Sequence, residues 1–351
     1  MRRPILITGS TGKQGRALIR ALLHGLPPIM PSAEDEYRIY ALTRSSSSAA
    51  AKALRESENE ERLQIVEGDL DDRESIVRIF ERVSGEEGGF WGVYCVLEFP
   101  GLGADATGEE RRGKLLADLA LKYKVQAYIY SSAMRSGPEH EDTLILSGRA
   151  KANVENYCMV LGEKGLPWTI LRPGFFMENF DDFLGSIAVG VLKSGLKKET
   201  TIGIVASEDI GYVAAGVFRH HEMYRQKILT LVSEFATMTQ LEDSYQRALG
   251  KPLPSVPAAV AWPIMKMNKM IRWLINDLEK SHRARVEGEY PQLENEVSLA
   301  NEVFEIRMMR TYYDWLRTRK RQRRMERLGE SRSRKAKWNQ LSLGKLLTGR
   351  A

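Results

Sequence analysis

PILITGSTGKQGRALIRALL, residues 4–23, reads as a strand, a glycine-studded turn and an amphipathic helix. The glycines fall at Gly9-x-x-Gly12-x-x-Gly15. Gly9 lets the chain leave the strand sharply, Gly12 lets backbone come close to a phosphate, and Gly15 lets the helix pack on the strand. The start of the helix then offers unpaired N–H groups and a positive dipole end to a pyrophosphate. An ordinary tight turn would need some of the same glycines. The preceding strand and the following helix supply the context that a dinucleotide site requires, with Gly9, Ser10, Thr11, Gly12, Lys13, Gln14 and Gly15 as contacts.

Strand and helix continue to alternate beyond this unit. A Pro-rich and charged insert, residues 25–36, reads as a loop. Strands are expected at YRIYALTR (37–44), LQIVEGDLDD (63–72), GFWGVYCVLEF (89–99), QAYIYSSA (126–133) and PWTILRPG (167–174), with helical stretches between them. Asp71 or Asp72 would cap the helix through Val83. The apolar runs are nearly continuous, as in parallel strands covered on both faces. The expected fold is therefore α/β, a doubly wound parallel sheet of Rossmann type, with ligands bound beyond the carboxyl ends of the strands.

The end of the second strand bears on which dinucleotide is bound. An NAD-selective site commonly has an acid there, for the ribose 2′-hydroxyl. This chain has Thr43-Arg44 followed by Ser45–Ser48. A guanidinium and hydroxyls suit a 2′-phosphate, so NADP is the expected cofactor, with Lys13 adding charge. Arg44 also reads as a solvated strand end. Asp69 and Leu70 end the third strand, near where adenine would lie, although an aspartate there equally suits a helix cap.

The 351 residues carry a net charge of +6, but thirteen Lys/Arg against Glu326 and Glu330 fall in residues 317–351. That tail holds an excess of +11 and leaves the body at −5, which argues against a nucleic-acid-binding face on the fold itself. Cys95 and Cys158 lie far apart in apolar stretches and read as buried free thiols, which suits a reducing, cytoplasmic setting. No secretory pattern opens the chain, and VPAAVAWPIMKM (256–267) is too short to span a bilayer. His220-His221 would diverge at a helix end, so no metal site is expected.

Taken together, ITGSTGKQGRALI, the arginine of ALTR, EGDLDD, SGRAKANVENYCMVLGEKGLPWTILRPGFFMENF and VASEDIGYVAAGVF resemble the NmrA-like family of atypical short-chain dehydrogenases/reductases. The resemblance covers about residues 4–250. It implies dinucleotide contacts at Gly9 through Gln14, Arg44 and Asp69-Leu70. It also implies that Lys151 lies near the nicotinamide ribose, and that Phe175, Phe176, Met177 and Glu178 form a loop closing over the nicotinamide.

Typical short-chain dehydrogenases stack Tyr-x-x-x-Lys on one helix face, where the lysine helps the phenol pass a proton. Here Lys151 is present but position 147 is Ser, a far weaker acid. Ser131 and Ser132, ending the fifth strand, match the hydroxyl that polarises a substrate carbonyl, and they also suit a simple turn. Lys151 also reads as a surface lysine. Two functions follow. One is a reductase passing hydride to a small carbonyl or enone, with Lys151 or water as proton source. The other binds NADP(H) without turnover and acts through a regulatory protein partner.

The dinucleotide domain is expected over residues 1–173. A smaller, mostly helical lobe, partly interleaved with the sheet, is expected over 174–316, with Ser207 near one helix cap and Thr237 or Thr239 at another. Residues 317–351 would form a flexible basic tail. That tail reads as a solvated charge run, a nuclear-import signal, or a weak attractor of nucleic acid or anionic lipid.

Overall fold

Alternate residues of the first strand, β1 (Arg3–Ile7), point to opposite faces, and both faces are buried. Ile5 and Ile7 enter one core cluster and Leu6 enters another. The computed structural model describes residues 2–25, 37–58, 61–303 and 309–327. Residues 26–36 of the loop expected over 25–36, and the tail beyond Arg327, lie outside the described residues.

The chain alternates as the sequence suggests. After β1 come α1 (Lys13–His24), β2 (Tyr37–Thr43), α2 (Ala49–Glu58), β3 (Leu63–Glu67), α3 (Arg73–Glu87), β4 (Gly92–Val96) and α4 (Thr107–Lys122). Then follow β5 (Ala127–Ser131), α5 (Leu146–Glu163), β6 (Trp168–Pro173), the two-residue β7 (Phe175–Phe176), α6 (Asp182–Gly195) and β8 (Thr201–Val205). The second half continues with α7 (Ser207–Arg219), α8 (His221–Tyr224), β9 (Lys227–Leu231), β10 (Glu234–Thr237) and α9 (Met238–Leu249). Last come α10 (Ala258–Met267), α11 (Lys269–Val286), α12 (Leu293–Glu302) and α13 (Tyr312–Arg327). The boundary drawn at Arg317 in the sequence falls inside α13.

Seven strands pair in the order β3-β2-β1-β4-β5-β6-β9, every pair parallel. The strand order reverses between β1 and β4, which opens the crevice where ligands of such sheets bind. One core layer joins the sheet to α1 and α7, and the other joins it to α3, α4 and α5. A second sheet, β10-β8-β7, lies under a third core shared with α6, α9, α10, α11 and α13.

Local signals explain most helix starts. Asp72, not Asp71, caps α3 by accepting from the Glu74 and Ser75 amides. Thr237 and Gln240 form a capping box on α9. Ser207 is not a side-chain cap: the α7 start is satisfied from outside, by the Glu178 carboxylate accepting from the Ser207 amide at 3.1 Å. Cys95 and Cys158 are buried and free.

The second half is pinned to the sheet by buried ions. Glu155 of α5 accepts from Arg172 Nε at 3.0 Å and Nη2 at 2.7 Å, pairs with Arg135 at 2.6 Å, and accepts from the Ser132 hydroxyl. Arg172 Nη1 donates to the Tyr290 hydroxyl at 2.6 Å, which in turn donates to Glu296 of α12 at 2.7 Å. Farther along, Arg310 donates to Asp209 and Glu208 at the start of α7 and so seats the chain that leads into α13. Tyr312 stacks on Trp315 and meets Phe180 edge-on.

Truncating Glu155 would take the shared buried carboxylate from two buried guanidinium groups, leaving Arg135 only Glu141 and Arg172 only Tyr290 and the more distant Glu296. Removing one partner of a buried ion network costs about 3–5 kcal/mol. Glu155→Ala is therefore expected to lower the denaturant midpoint by that much stability, while Glu163→Ala, at the end of the same helix and exposed, leaves it nearly unchanged. Equal midpoints for the two variants would contradict the pinning role.

Candidate functional site

The glycine turn is a close-packed cradle. Gly9 has φ +55°, and a Cβ there would sit 2.7 Å from Val96 Cγ1. A Cβ on Gly15 would lie 2.4 Å from the Gly9 carbonyl oxygen. Only bare backbone lets α1 approach β1 so closely, which aims the first amides of α1 at the space beyond the strand ends. The hydroxyls of the turn are partly committed to the fold. Ser10 Oγ donates to the Leu42 carbonyl at 2.7 Å. Just upstream, Thr8 Oγ1 donates to the Val96 carbonyl at 2.8 Å and accepts from the Val96 amide at 2.9 Å. The turn thereby ties β1 to both of its neighbours.

Gln14 looks across the crevice. Its Oε1 accepts from the Tyr94 hydroxyl at 2.9 Å and from Ser131 Oγ at 2.8 Å. Burial pushes the Tyr94 phenol well above its usual pKa, so it stays a donor. Ser131 is thus one hydrogen bond from the glycine turn. Ser132, the other sequence candidate, points into the Glu155 network.

The helix face expected to carry Tyr-x-x-x-Lys holds a different device. Lys151 Nζ donates to Glu109 Oε1 at 2.5 Å, and Ser147 Oγ donates to Glu109 Oε2 at 2.6 Å. Glu109, on α4, is 2% exposed. One carboxylate therefore bridges the two positions that matter in the typical pair. Sequence reasoning missed Glu109. The signal was present, since Glu109, Gly113, Leu116 and Ala120 share one buried helical stripe, and an acid on an apolar stripe asks for a partner.

On the adenosine side, Arg44 extends from the end of β2 into solvent and pairs with Glu98, beyond β4, at 3.3 Å. Ser45 and Ser47 share a hydroxyl–hydroxyl contact of 3.0 Å. Ser46 donates its amide at 2.9 Å and its hydroxyl at 2.8 Å to Glu67, and these bonds hold that carboxyl below its ordinary pKa. Asp69 accepts from the Asp71 amide at 3.0 Å within its turn, and Leu70 packs on the core. Arg111 and Arg112 grip Asp71 and lower its pKa to about 2.

The segment after β6 arches over the same end of the sheet. Met177 is fully buried, Phe175 packs on Phe180 at 5.4 Å, and Glu178 is held by Ser207. Lys13, at the first position of α1, shares its surroundings with Glu178, Asp182, Glu208 and Arg319. Partial desolvation holds its amine below the usual lysine pKa even though the residue is exposed, and Arg319 adds to the depression. Arg319 itself comes from α13 and is ion-paired with Asp181. Beside Phe175 lies a cavity of about 200 Å³, bordered by Met134, Gly174, Phe235, Asp277 and His282. Burial raises the Asp277 carboxyl pKa, against the pull of Lys280 and His140. Among the described residues, no cluster of three or more His, Cys, Asp or Glu could hold a metal ion.

The chain belongs to the NmrA-like family, whose sequence model matches residues 1–309. Among its relatives is the NmrA-like family domain-containing oxidoreductase cpsB of Aspergillus campestris, 24% identical over 268 residues, 70% of this chain and 73% of that one. Another is the oxidoreductase notA of an Aspergillus species, 25% identical over 282 residues, covering 73% and 76%. The fold is similar to that of NmrA, a negative transcriptional regulator solved with NADP (TM-score 0.62, 20% identity, 90% of this chain and 94% of that one). It is similar also to the Escherichia coli NADPH-dependent quinone oxidoreductase QOR2 solved with NADPH (TM-score 0.60, 19% identity, 89% and 98%).

Proposed function

We propose that this chain binds NADP(H) across the glycine turn and reduces a small carbonyl or enone. The fit of the dinucleotide is supported by a cradle that any Cβ at Gly9 or Gly15 would obstruct. Gly9–Gly15 would hold the diphosphate, Arg44 with Ser45 and Ser47 the 2′-phosphate, and Asp69-Leu70 the adenine side. Phe175–Glu178 would cover the nicotinamide. Reduced nicotinamide, when bound, supplies a hydride.

The observation that carries the reductase reading is the Ser131–Gln14 hydrogen bond, which sets a substrate-polarising hydroxyl beside the dinucleotide turn. Ser131 Oγ would turn from Gln14 to donate to the substrate oxygen. The Lys151 ammonium would give a proton to the substrate oxygen and regain one from water. Glu109 orients that ammonium and the Ser147 hydroxyl together. The cavity beside Phe175 suits the apolar part of a small substrate. A cytoplasmic site of action, or a nuclear one directed by the basic tail, belongs to the same proposal.

A second reading, an NADP(H) sensor acting through a regulatory protein partner, is favoured by one observation. Lys151, Ser147 and Ser132 all already have carboxylate partners.

The two readings part on turnover. NADPH oxidation against a panel of quinones, aldehydes and enones is expected to find a substrate, with Lys151→Ala slowing kcat/KM by about 10²–10⁴-fold. Tight NADPH binding without turnover on any member would leave the sensor. For the cofactor, Arg44→Ala should cut the preference for NADPH over NADH by about tenfold to a hundredfold. Glu98→Gln, which frees Arg44 from a competing carboxylate, should raise it. An unchanged ratio in both variants would contradict the assigned 2′-phosphate site.

A further inference from the structure

A helix on the surface of a globular protein normally turns its apolar stripe inward and its charged face outward. α10 (AAVAWPIMKM) has apolar residues on both. Its inner stripe is Ala261, Ile264 and Met265, with Met265 lying against α6 and the chain before the helix resting there too, since the Val256 amide donates to the Ser186 carbonyl. The outer face carries Val260, 47% exposed, Trp262, 54%, and Met267, 80%. On the neighbouring α6, Phe183 adds a ring 62% exposed, one turn before the Ser186 carbonyl. Four large apolar side chains on two adjoining helices thus face water, more than scattered surface hydrophobicity requires.

Along α10 and its flanks the charges are of one sign, while at the Phe183 end Asp182 stands exposed. From 251 to 276 there are Lys251, Lys266, Lys269 and Arg272, and no Asp or Glu. All four are exposed. Lys266 sits over the Trp262 ring at 4.6 Å, and Arg272 reaches back to the Met265 and Lys266 carbonyls, the negative end of α10. An outward face of Trp, Met and Val edged by lysines has the composition of helices that lie in a lipid headgroup layer. Among the described residues no helix is long and apolar enough to cross a bilayer, so such a helix rests on the surface.

We propose that α10, with Phe183, docks this protein on an anionic lipid surface. The charge pattern selects this occupant over two others. A second copy seated face to face would set Lys266, Lys269 and Arg272 against their own equivalents. The 24 residues after Arg327 carry six Lys/Arg against Glu330, so like charge opposes their folding back onto α10. An anionic headgroup layer is attracted by the same cations while the acyl boundary takes up Trp262 and Met267. The docking stands independently of whether the cleft turns substrate over.

The test is co-sedimentation of the full chain with vesicles of phosphatidylcholine, with or without roughly one third phosphatidylserine. The intact chain is expected to bind the anionic vesicles and to leave the neutral ones. Trp262→Ser with Met267→Ser, and separately Lys266→Glu with Lys269→Glu, should each weaken binding by about tenfold or more. These side chains are exposed, so unchanged melting curves will show that the variants fold. Absence of binding to anionic vesicles would overturn the proposal. So would binding that survives both double variants but is lost on truncation after Arg327, which would assign it to the tail. A dimer dissolved by Trp262→Ser in a chain that ignores vesicles would overturn it in favour of self-association.

Discussion

The approach of α1 to the end of β1 is the contact on which the remaining structure rests. It is closer than any side chain allows. Gly15 faces the Gly9 carbonyl, and on the other side of α1, Gly211 of α7 faces the backbone of Ala17 and Leu18, where a Cβ would come within 2.5 Å of the Leu18 nitrogen. Two glycines in different elements therefore let α1 sink between the sheet and α7. The helix that would carry a pyrophosphate at its start is held from both sides, and its amides point into the crevice where the strand order reverses.

Buried acids do the complementary work of joining separate elements to this frame. Glu155 gathers Arg172, Arg135 and Ser132, Asp209 receives Arg310, and Glu109 receives Lys151 and Ser147. Each pairs groups from different elements, so each works only once the tertiary fold is in place. Glu155 links the loop after β5 to β6, and through Tyr290 to α12. Arg310 delivers α13, whose Arg319 ends beside Asp181 and within the surroundings of Lys13. α13, the last described helix, thus brings a charge that acts on the first residue of α1, although the family match stops at residue 309.

Much of the fold was legible because its signals are local. The glycine spacing, the continuous apolar strands, Asp72 before α3 and the Thr237–Gln240 box each act within a few residues. Less of the site was legible, because a side chain's partner depends on elements far apart in the chain. Nothing near Ser132 tells that its hydroxyl turns to Glu155, while Ser131, one residue earlier and on the opposite face of the strand, turns to Gln14. The α7 cap was expected near Ser207 and is supplied from Glu178, 29 residues away. Nor does anything near Arg44 tell that Glu98, beyond β4, pairs with it.

The central claim is that the start of α1 holds a pyridine dinucleotide, and calorimetric titration of the full chain tests it most directly. NADPH should give a saturable heat with one site per chain, abolished in Gly15→Val, whose Cβ cannot be seated against Gly9. A chain that folds normally yet gives no heat with NADPH, NADP, NADH or NAD would contradict the account.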